Sequence, residues 1–268
     1  MKAFIRTAGA LAGRVSLAAA IGLGAATVVA AEGGATLKVY GPGGPAPAMK
    51  AAAKAFSDEH QVAVEVVAGP PPKWLPQARE DADMIYSGAE HMMTGFDREV
   101  RGLFDIREAE PLYLRPVSIL VRPGNPKKIS GFGDLLKPGM KVLVVAGAGQ
   151  VGLWEDVAAR TGDITKVQAF RRNVVFPEAG NSALAREQWR QQPDIDAWLI
   201  WNIWQVSNPD LADQVPVEER YRIYRPTSVV LTVKGKAVPE AQAFVDYLKS
   251  DKGREIFARW GWETGTTP

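Results

Sequence analysis

Three short glycine-bearing segments, each set between an apolar run and a helix-like run, constrain this chain more than any other feature. Tyr40-Gly-Pro-Gly-Gly44 follows residues 36–40, Tyr86-Ser-Gly88 follows residues 82–86, and Ala146-Gly-Ala-Gly-Gln150 follows residues 141–145. A strand that turns through Gly or Ser into a helix presents unpaired backbone N–H groups at the helix N-terminus, and these favour negative charge. One such turn accompanies any βα unit. Three of them in one chain point to capture of a small anion.

The periodicity between these turns is that of an α/β protein. Residues 45–59 carry Met49, Ala52, Ala53 and Phe56, an i, i+3, i+4, i+7 stripe that predicts a helix. Residues 61–67 alternate and are β-branched, which predicts a strand. Gly69-Pro-Pro-Pro72 reads as a turn and residues 73–79 as a short helix. Residues 112–121 form a long extended candidate closed by Arg122-Pro-Gly-Asn-Pro126. Further on, helices are expected at 132–136, 151–160 and 181–191, buried strands at 197–200 and 229–233, and one or two closing helices over 239–260. Strands alternating with helices predict mainly parallel sheets with helices on both faces.

Lys2, Arg6 and Arg14 precede residues 15–31, which carry no charge and are rich in Ala, Leu, Ile and Gly. Small residues follow at Val28-Val-Ala-Ala31. This pattern predicts a cleaved signal peptide over residues 1–31, cut after Ala30 or Ala31, and a mature protein in the periplasm with no stable membrane insertion. Three cations and no acid leave with the leader, taking the formal charge from +2 to −1. No polybasic patch remains to suggest nucleic acid. The chain has no cysteine, which excludes disulfides, thiolate metal sites, a cysteine nucleophile and a lipid-modified cysteine. The two histidines, His60 and His91, have no metal-ligand spacing, and neither His-Glu-x-x-His nor Gly-x-Ser-x-Gly occurs. No catalytic residue, metal or cofactor is therefore expected. Gly147-x-Gly149-x-x-Gly152 does match the dinucleotide-binding fingerprint, but the leader and the absence of a ribose-binding acid at the end of a second strand count against a Rossmann domain. Glu155-Asp156 and the pair Asp194 and Asp196 read as a helix face and a strand lead-in.

Several blocks carry a resemblance. Val39-Tyr-Gly-Pro-Gly-Gly-Pro45, Gly69-Pro-Pro-Pro-Lys-Trp74, Asp83-Met-Ile-Tyr-Ser-Gly-Ala-Glu-His-Met-Met93 and Leu112-Tyr-Leu-Arg-Pro116 resemble the accessory colonization factor AcfC family, as do Gly147-Ala-Gly-Gln-Val-Gly-Leu-Trp-Glu-Asp156, Asp194-Ile-Asp-Ala-Trp-Leu-Ile-Trp-Asn-Ile-Trp204 and Tyr221-Arg-Ile-Tyr224. That family consists of extracytoplasmic solute-binding proteins, distantly similar to the sulfate- and molybdate-binding components of ABC importers. The resemblance implies a monomer with the two-lobed Venus-flytrap fold, each lobe a mainly parallel sheet flanked by helices. Lobe I would comprise residues 32–115 plus 227–268, and lobe II the insertion 116–226. Crossings are expected near residues 113–120 and 224–230. A ligand would sit between the lobes at the C-terminal ends of the strands, with hinge closure around it.

The candidate ligand-binding residues follow from the turns and from these crossings. Gly43 and Gly44 supply N–H groups before the helix at Pro45. Ser87 and Gly88 follow the second strand, where Ser serves equally as an N-cap. Gly147, Ala148, Gly149 and Gln150 approach from the second lobe. The resemblance implies neutral donors of this kind, and Arg115 departs from that pattern. Lying before Pro116 at the expected hinge, it suits a carboxylate, sulfate or phosphonate by its bidentate fork, and reads equally as a surface arginine. Trp201 and Asn202 end the buried strand over 197–200. Trp198, Trp201 and Trp204, spaced by three, serve as core or as a ligand platform, and Trp74 as a cleft wall or as packing beneath it. Aromatic walls favour a partly organic anion over bare sulfate. The expected function is delivery of a small anion, either a sulfate- or molybdate-like oxyanion or a small organic carboxylate, to an ABC permease or a sensor. The alternative is an exported adhesion, colonisation or signalling protein of the same fold.

Overall fold

The structure, a computed structural model, describes residues 36–265, so the expected leader lies outside the described residues. The chain enters as β1 (Leu37–Gly41), which turns into α1 (Ala46–His60). α1 buries the expected stripe of Met49, Ala52, Ala53 and Phe56 and stops at Gln61, whose φ of 59° is left-handed. β2 (Val64–Ala68) returns parallel to β1. α2 (Pro71–Asp81) starts two residues earlier than the sequence predicts, because prolines at the first helical positions lack only N–H groups that would be unpaired there. β3 (Met84–Tyr86) lies parallel along the other side of β1, and α3 (Glu90–Glu99) follows.

β4 (Glu110–Val121) is the twelve-residue strand expected over 112–121. Beyond it come β5 (Val142–Leu143), α4 (Leu153–Ala159), α5 (Ile164–Asn173), α6 (Ser182–Gln191) and β6 (Ala197–Trp201). The chain continues through α7 (Ile203–Val206), β7 (Asp213–Pro216) and β8 (Tyr224–Leu231), then closes with α8 (Pro239–Lys249) and α9 (Asp251–Arg259). The strand order is β2-β1-β3-β8-β4-β6-β5, with β7 on β4. β4 changes partners along its length: Glu110–Pro116 pair with β8, and Val117–Val121 pair with β6. It thus belongs to both halves of the sheet.

The expected parallel pairing is present at β1–β2, β1–β3 and β5–β6. β4 and β8 add antiparallel pairs, so the whole sheet is mixed. β5 is shorter than the expected strand over residues 141–145, and isolated bridges from Val142 to Val174 and from Val145 to Ala179 accompany it. The third glycine loop does not open directly into a helix either: a single 3-10 turn spans Ala148–Gln150, and α4 begins only after the left-handed Gly152. α5 and β7 were not legible in the sequence. α5 buries only Phe170 and Asn173, and β7 only Val215, so neither shows an apolar stripe.

Helices cover both faces of the first half. Phe56 of α1 packs on Phe244 and Tyr247 of α8 at 5.1 and 5.4 Å, while Trp74 of α2 packs on Phe96 of α3 at 5.1 Å on the opposite face. In the second half, Trp189 meets Trp198 at 6.2 Å and Phe132 meets Phe170 at 5.2 Å. No helix among the described residues is long and apolar enough to cross a membrane.

The turn after β8 locks the end of β3. The buried Asp83 carboxylate accepts from Lys38 N at 2.8 Å and Lys234 Nζ at 2.7 Å, and the Asp83 carbonyl accepts from Thr232 N at 3.0 Å. A Cβ on Gly235 would lie 1.9 Å from that carbonyl oxygen. Gly235→Ala is therefore expected to cost about 1–3 kcal/mol by overpacking, lowering Tm in thermal unfolding by about 2–4 °C per kcal/mol. An unchanged Tm would show that the turn can shift.

Candidate functional site

Arg115 lies on β4 one residue before Pro116, where β4 exchanges β8 for β6. It is 2 % exposed. Its Nη2 donates to the Gly88 carbonyl, and its guanidinium carbon stands 4.7 Å from the Trp201 ring and 5.6 Å from the Trp262 ring. Its Nε has no partner, and among the described residues no carboxylate forms an ion pair with it. Each of the three glycine loops yields it space. A Cβ on Gly44 would lie 3.0 Å from Nη1, and Cβ atoms on Gly88 and Gly149 would lie 3.2 and 2.7 Å from Nη2. Burial, and then the neighbouring Arg225, push the guanidinium down to about 9, with Glu90 opposing weakly. This is the behaviour of a cation removed from water without a counter-charge.

The guanidinium helps line a cavity of about 570 Å³. Of the residues expected to bind a ligand, Gly43, Gly44, Gly88, Arg115, Ala148, Gly149 and Gln150 line it. The other four stand back. Ser87 is fully buried, its N–H donates to Ser228 O at 2.8 Å, and its hydroxyl has no partner. Gly147 is pressed against the Gly180 carbonyl, which a Cβ would approach to 2.2 Å. Trp201 lies beneath Arg115 and donates to Gly149 O at 3.1 Å, so it supports the site from below. Asn202 is turned the other way, donating to Gly261 O at 2.5 Å.

The tryptophans divide by role. Trp198 and Trp74 are core, Trp74 donating to Gly69 O at 3.1 Å, whereas Trp204 lines the cavity. The sequence did not mark residues 69–72, Met92, residues 180–183 or Arg186 as part of the site, yet they line it as well. A signal existed for one of them: Asn181 before the helical pattern is an N-cap, and its Oδ1 accepts from Ala183 N and Leu184 N at 3.0 Å. By contrast, α1 and α3 start without a side-chain cap, leaving their first N–H groups to other partners.

Contacts between the two halves of the sheet flank the cavity. His91 of α3 bonds Ala148 O through Nε2 at 2.7 Å, and its Nδ1 lies 3.4 Å from Arg225. Arg225 of β8 pairs with Asp156 of α4 at 3.1 Å. Six buried side-chain polar atoms among the described residues have no partner: Arg115 Nε, Gln150 Oε1 and Trp204 Nε1 belong to residues that line the cavity, and Ser87 Oγ, Trp198 Nε1 and Asn202 Oδ1 to residues that do not. Buried polar atoms are normally paired. Among the described residues no cluster of His, Asp or Glu could hold a metal ion.

The family described as bacterial extracellular solute-binding protein matches residues 37–263 of the chain. The solved structure of Peb3 from Campylobacter jejuni is 34 % identical with a TM-score of 0.78, covering 85 % of this chain and 99 % of that one. A structure of L-phospholactate-bound PEB3 is 36 % identical with a TM-score of 0.79, at the same coverage. The sulfate-binding protein of Escherichia coli (strain K12) is 27 % identical over 170 residues, 55 % of this chain and 50 % of that protein. The chain thus spans about half the length of the curated relatives it matches. The sulfate-binding protein SubI of Mycobacterium tuberculosis, at 17 % identity and a TM-score of 0.71 over 86 % of this chain and 87 % of that one, shares the fold. That fold is the two-lobed α/β architecture of periplasmic binding proteins, as the resemblance implied.

The uncompensated cation makes a prediction for the unliganded protein. Burial without a counter-charge weakens the hold on the guanidinium proton, yet an arginine stays charged at pH 7, so the charge subtracts stability from the unliganded native state. Replacing a poorly paired buried charge by an apolar side chain is often neutral or stabilising by about 1–4 kcal/mol. Arg115→Met is expected to melt at or above the wild-type Tm in anion-free buffer at pH 7. A fall of several degrees at pH 7 would show that the cation holds the fold together.

Proposed function

The chain belongs to the bacterial extracellular solute-binding proteins, and on that premise we propose that it captures a small organic anion in the cavity beneath Arg115 and presents it to an ABC importer or a sensor. The observation that carries this reading is the Arg115 guanidinium: buried, without a carboxylate partner, and aimed into a cavity of about 570 Å³. A bound carboxylate or phosphate would supply the missing counter-charge by a bidentate pair. Uncapped N-termini of α1 and α3 would add backbone donors.

The cavity size favours an organic anion over bare sulfate or molybdate, since it falls in the range of about 300–1,000 Å³ that holds small organic molecules. Trp204 and the proline-rich residues 70–72 give part of its lining an apolar character. L-phospholactate bound to PEB3, a protein 36 % identical over nearly its full length, supports the same ligand class. Within the family, the seven motif blocks support reading this chain as AcfC-like. The lobes would be residues 32–115 with 227–268, and 116–226. β4 changes partners at Pro116, beside the proposed boundary. Closure would be reinforced by the Arg225–Asp156 pair and by the His91 bond to Ala148. Secretion to the periplasm, cleavage near Ala30 or Ala31 and a monomeric state complete the proposal.

A thermal-shift panel on protein beginning at Glu32, in buffer free of sulfate, phosphate and carboxylate, tests it. Sulfate, molybdate, phosphate, L-phospholactate, aspartate and citrate form the panel. A ligand at a hundred times its Kd stabilises by about 2.7 kcal/mol, a shift of several degrees for a chain of this size. At least one organic anion is expected to give that shift and to exceed sulfate and molybdate. Arg115→Ala should lose about 2–5 kcal/mol of binding, since it removes one partner of a buried charge pair. Gly149→Ala, whose Cβ would fall 2.7 Å from Nη2, should weaken the same ligand by displacing the guanidinium, with little change in unliganded Tm. No shift from any anion overturns the reading.

A further inference from the structure

A second cation faces the same cavity and nothing in the fold accounts for it. Arg186 lies on α6, half-buried, and lines the cavity with Trp204. Among the described residues no carboxylate forms an ion pair with it, and its one hydrogen bond is a long one, 3.5 Å from Nη1 to Asn208 Oδ1. Asn208 is itself tied to α7, its Nδ2 donating to Trp204 O at 2.9 Å. Arg186, Asn208 and Trp204 thus form a corner in which the guanidinium is positioned but not neutralised.

The position of this corner relative to Arg115 follows from helix geometry. Ser182, in the first turn of α6, accepts from Gln150 Nε2 at 2.9 Å, which joins α6 to the loop that contains Gly149. Gly149 is the glycine against the Arg115 guanidinium. Residue i+4 lies on the same helix face one turn on, about 5 Å along the axis, so Arg186 carries the cavity wall one turn beyond the Gln150–Ser182 pair. A cation without a counter-charge on the wall of a cavity that already holds a buried guanidinium can accept a further anionic group.

We propose that Arg186 is a second anion anchor, and that the ligand is an organic molecule carrying two separate anionic groups, one for Arg115 and one for Arg186. The inference rests on the reading of the cavity as an anion site and adds a specificity-determining residue to it. Arg186 selects for two-anion ligands, because a single-anion ligand occupies Arg115 and leaves the second contact unmade.

Matched pairs of probes test this by isothermal titration: phosphoglycolate against methyl phosphate, and succinate against butyrate. Each pair differs by one carboxylate. In wild type, the two-anion member of at least one pair is expected to bind at least tenfold tighter than its partner. Arg186→Ala and Arg186→Gln should collapse that ratio toward one while leaving the single-anion member within about twofold. Because the ratio is taken within one preparation, a partly unfolded variant does not distort it. Arg115→Ala should weaken both members together. Equal binding of the two members in wild type, or equal weakening of both by Arg186→Ala, overturns the second anchor and leaves the anion site standing. Binding of none of the four probes by wild type overturns the second anchor, while the anion site is decided separately by the thermal-shift panel.

Discussion

Everything near the cavity is arranged around one buried guanidinium. Arg115 enters from the strand shared by the two halves of the sheet, and three loops from three different strands close over it at glycines. Removing a cation from water costs several kcal/mol unless a counter-charge or a set of hydrogen bonds replaces the solvent. Here the replacement is partial: one carbonyl, at Gly88, and two indole faces at 4.7 and 5.6 Å. Cation–π contacts of this kind return about 1–2 kcal/mol when desolvated, less than the full cost. The remainder is carried by the fold.

The fold can carry that cost because Arg115 sits where the backbone is most constrained. β4 pairs with β8 over its first seven residues and with β6 over its last five, so its middle is anchored from both ends. Large aromatic clusters lie behind it in both halves. The parallel strands β1 and β3 in one half, and β5 in the other, direct their C-terminal ends toward this place. Their loops accordingly meet at one point although they are more than forty residues apart in the chain. The same convergence explains why the motif resembling a dinucleotide fingerprint is no such thing. Gly147 gives way to the Gly180 carbonyl, Gly149 to Arg115, and Gly152 adopts a left-handed φ of 69° to start α4.

Beside the cavity, residues from the two halves of the sheet are joined by modest contacts. An ion pair with one partner 14 % exposed and the other 57 % exposed contributes little on its own. The Arg225–Asp156 pair therefore suits a reversible contact better than a permanent brace, and the same holds for the single bond from His91 to Ala148. A binding protein needs both states within reach, since a ligand shifts the balance only by its differential affinity for them.

The sequence by itself determined most of the strands and helices, though not α5 or β7, together with the three glycine turns and the arginine placed before Pro116. Each of these is written in local chemistry: apolar period, turn residues, a residue next to a proline. It also determined the α/β class and the resemblance to solute-binding proteins. What only the tertiary structure decided was which residues face the cavity. Trp198, Trp201 and Trp204 look equivalent in sequence, yet one is core, one supports the guanidinium and one lines the wall, because the strand ends at Trp201 and the chain then turns into α7. Ser87 looks like an anion donor, and the register of β3 beside β8 turns its N–H to Ser228 instead. Arg186 looks like any surface arginine on a polar helix, and only the docking of α6 beside Gln150 brings it to the site. Local sequence sets backbone conformation over a few residues, whereas the direction a side chain faces depends on which distant strand or helix packs beside it.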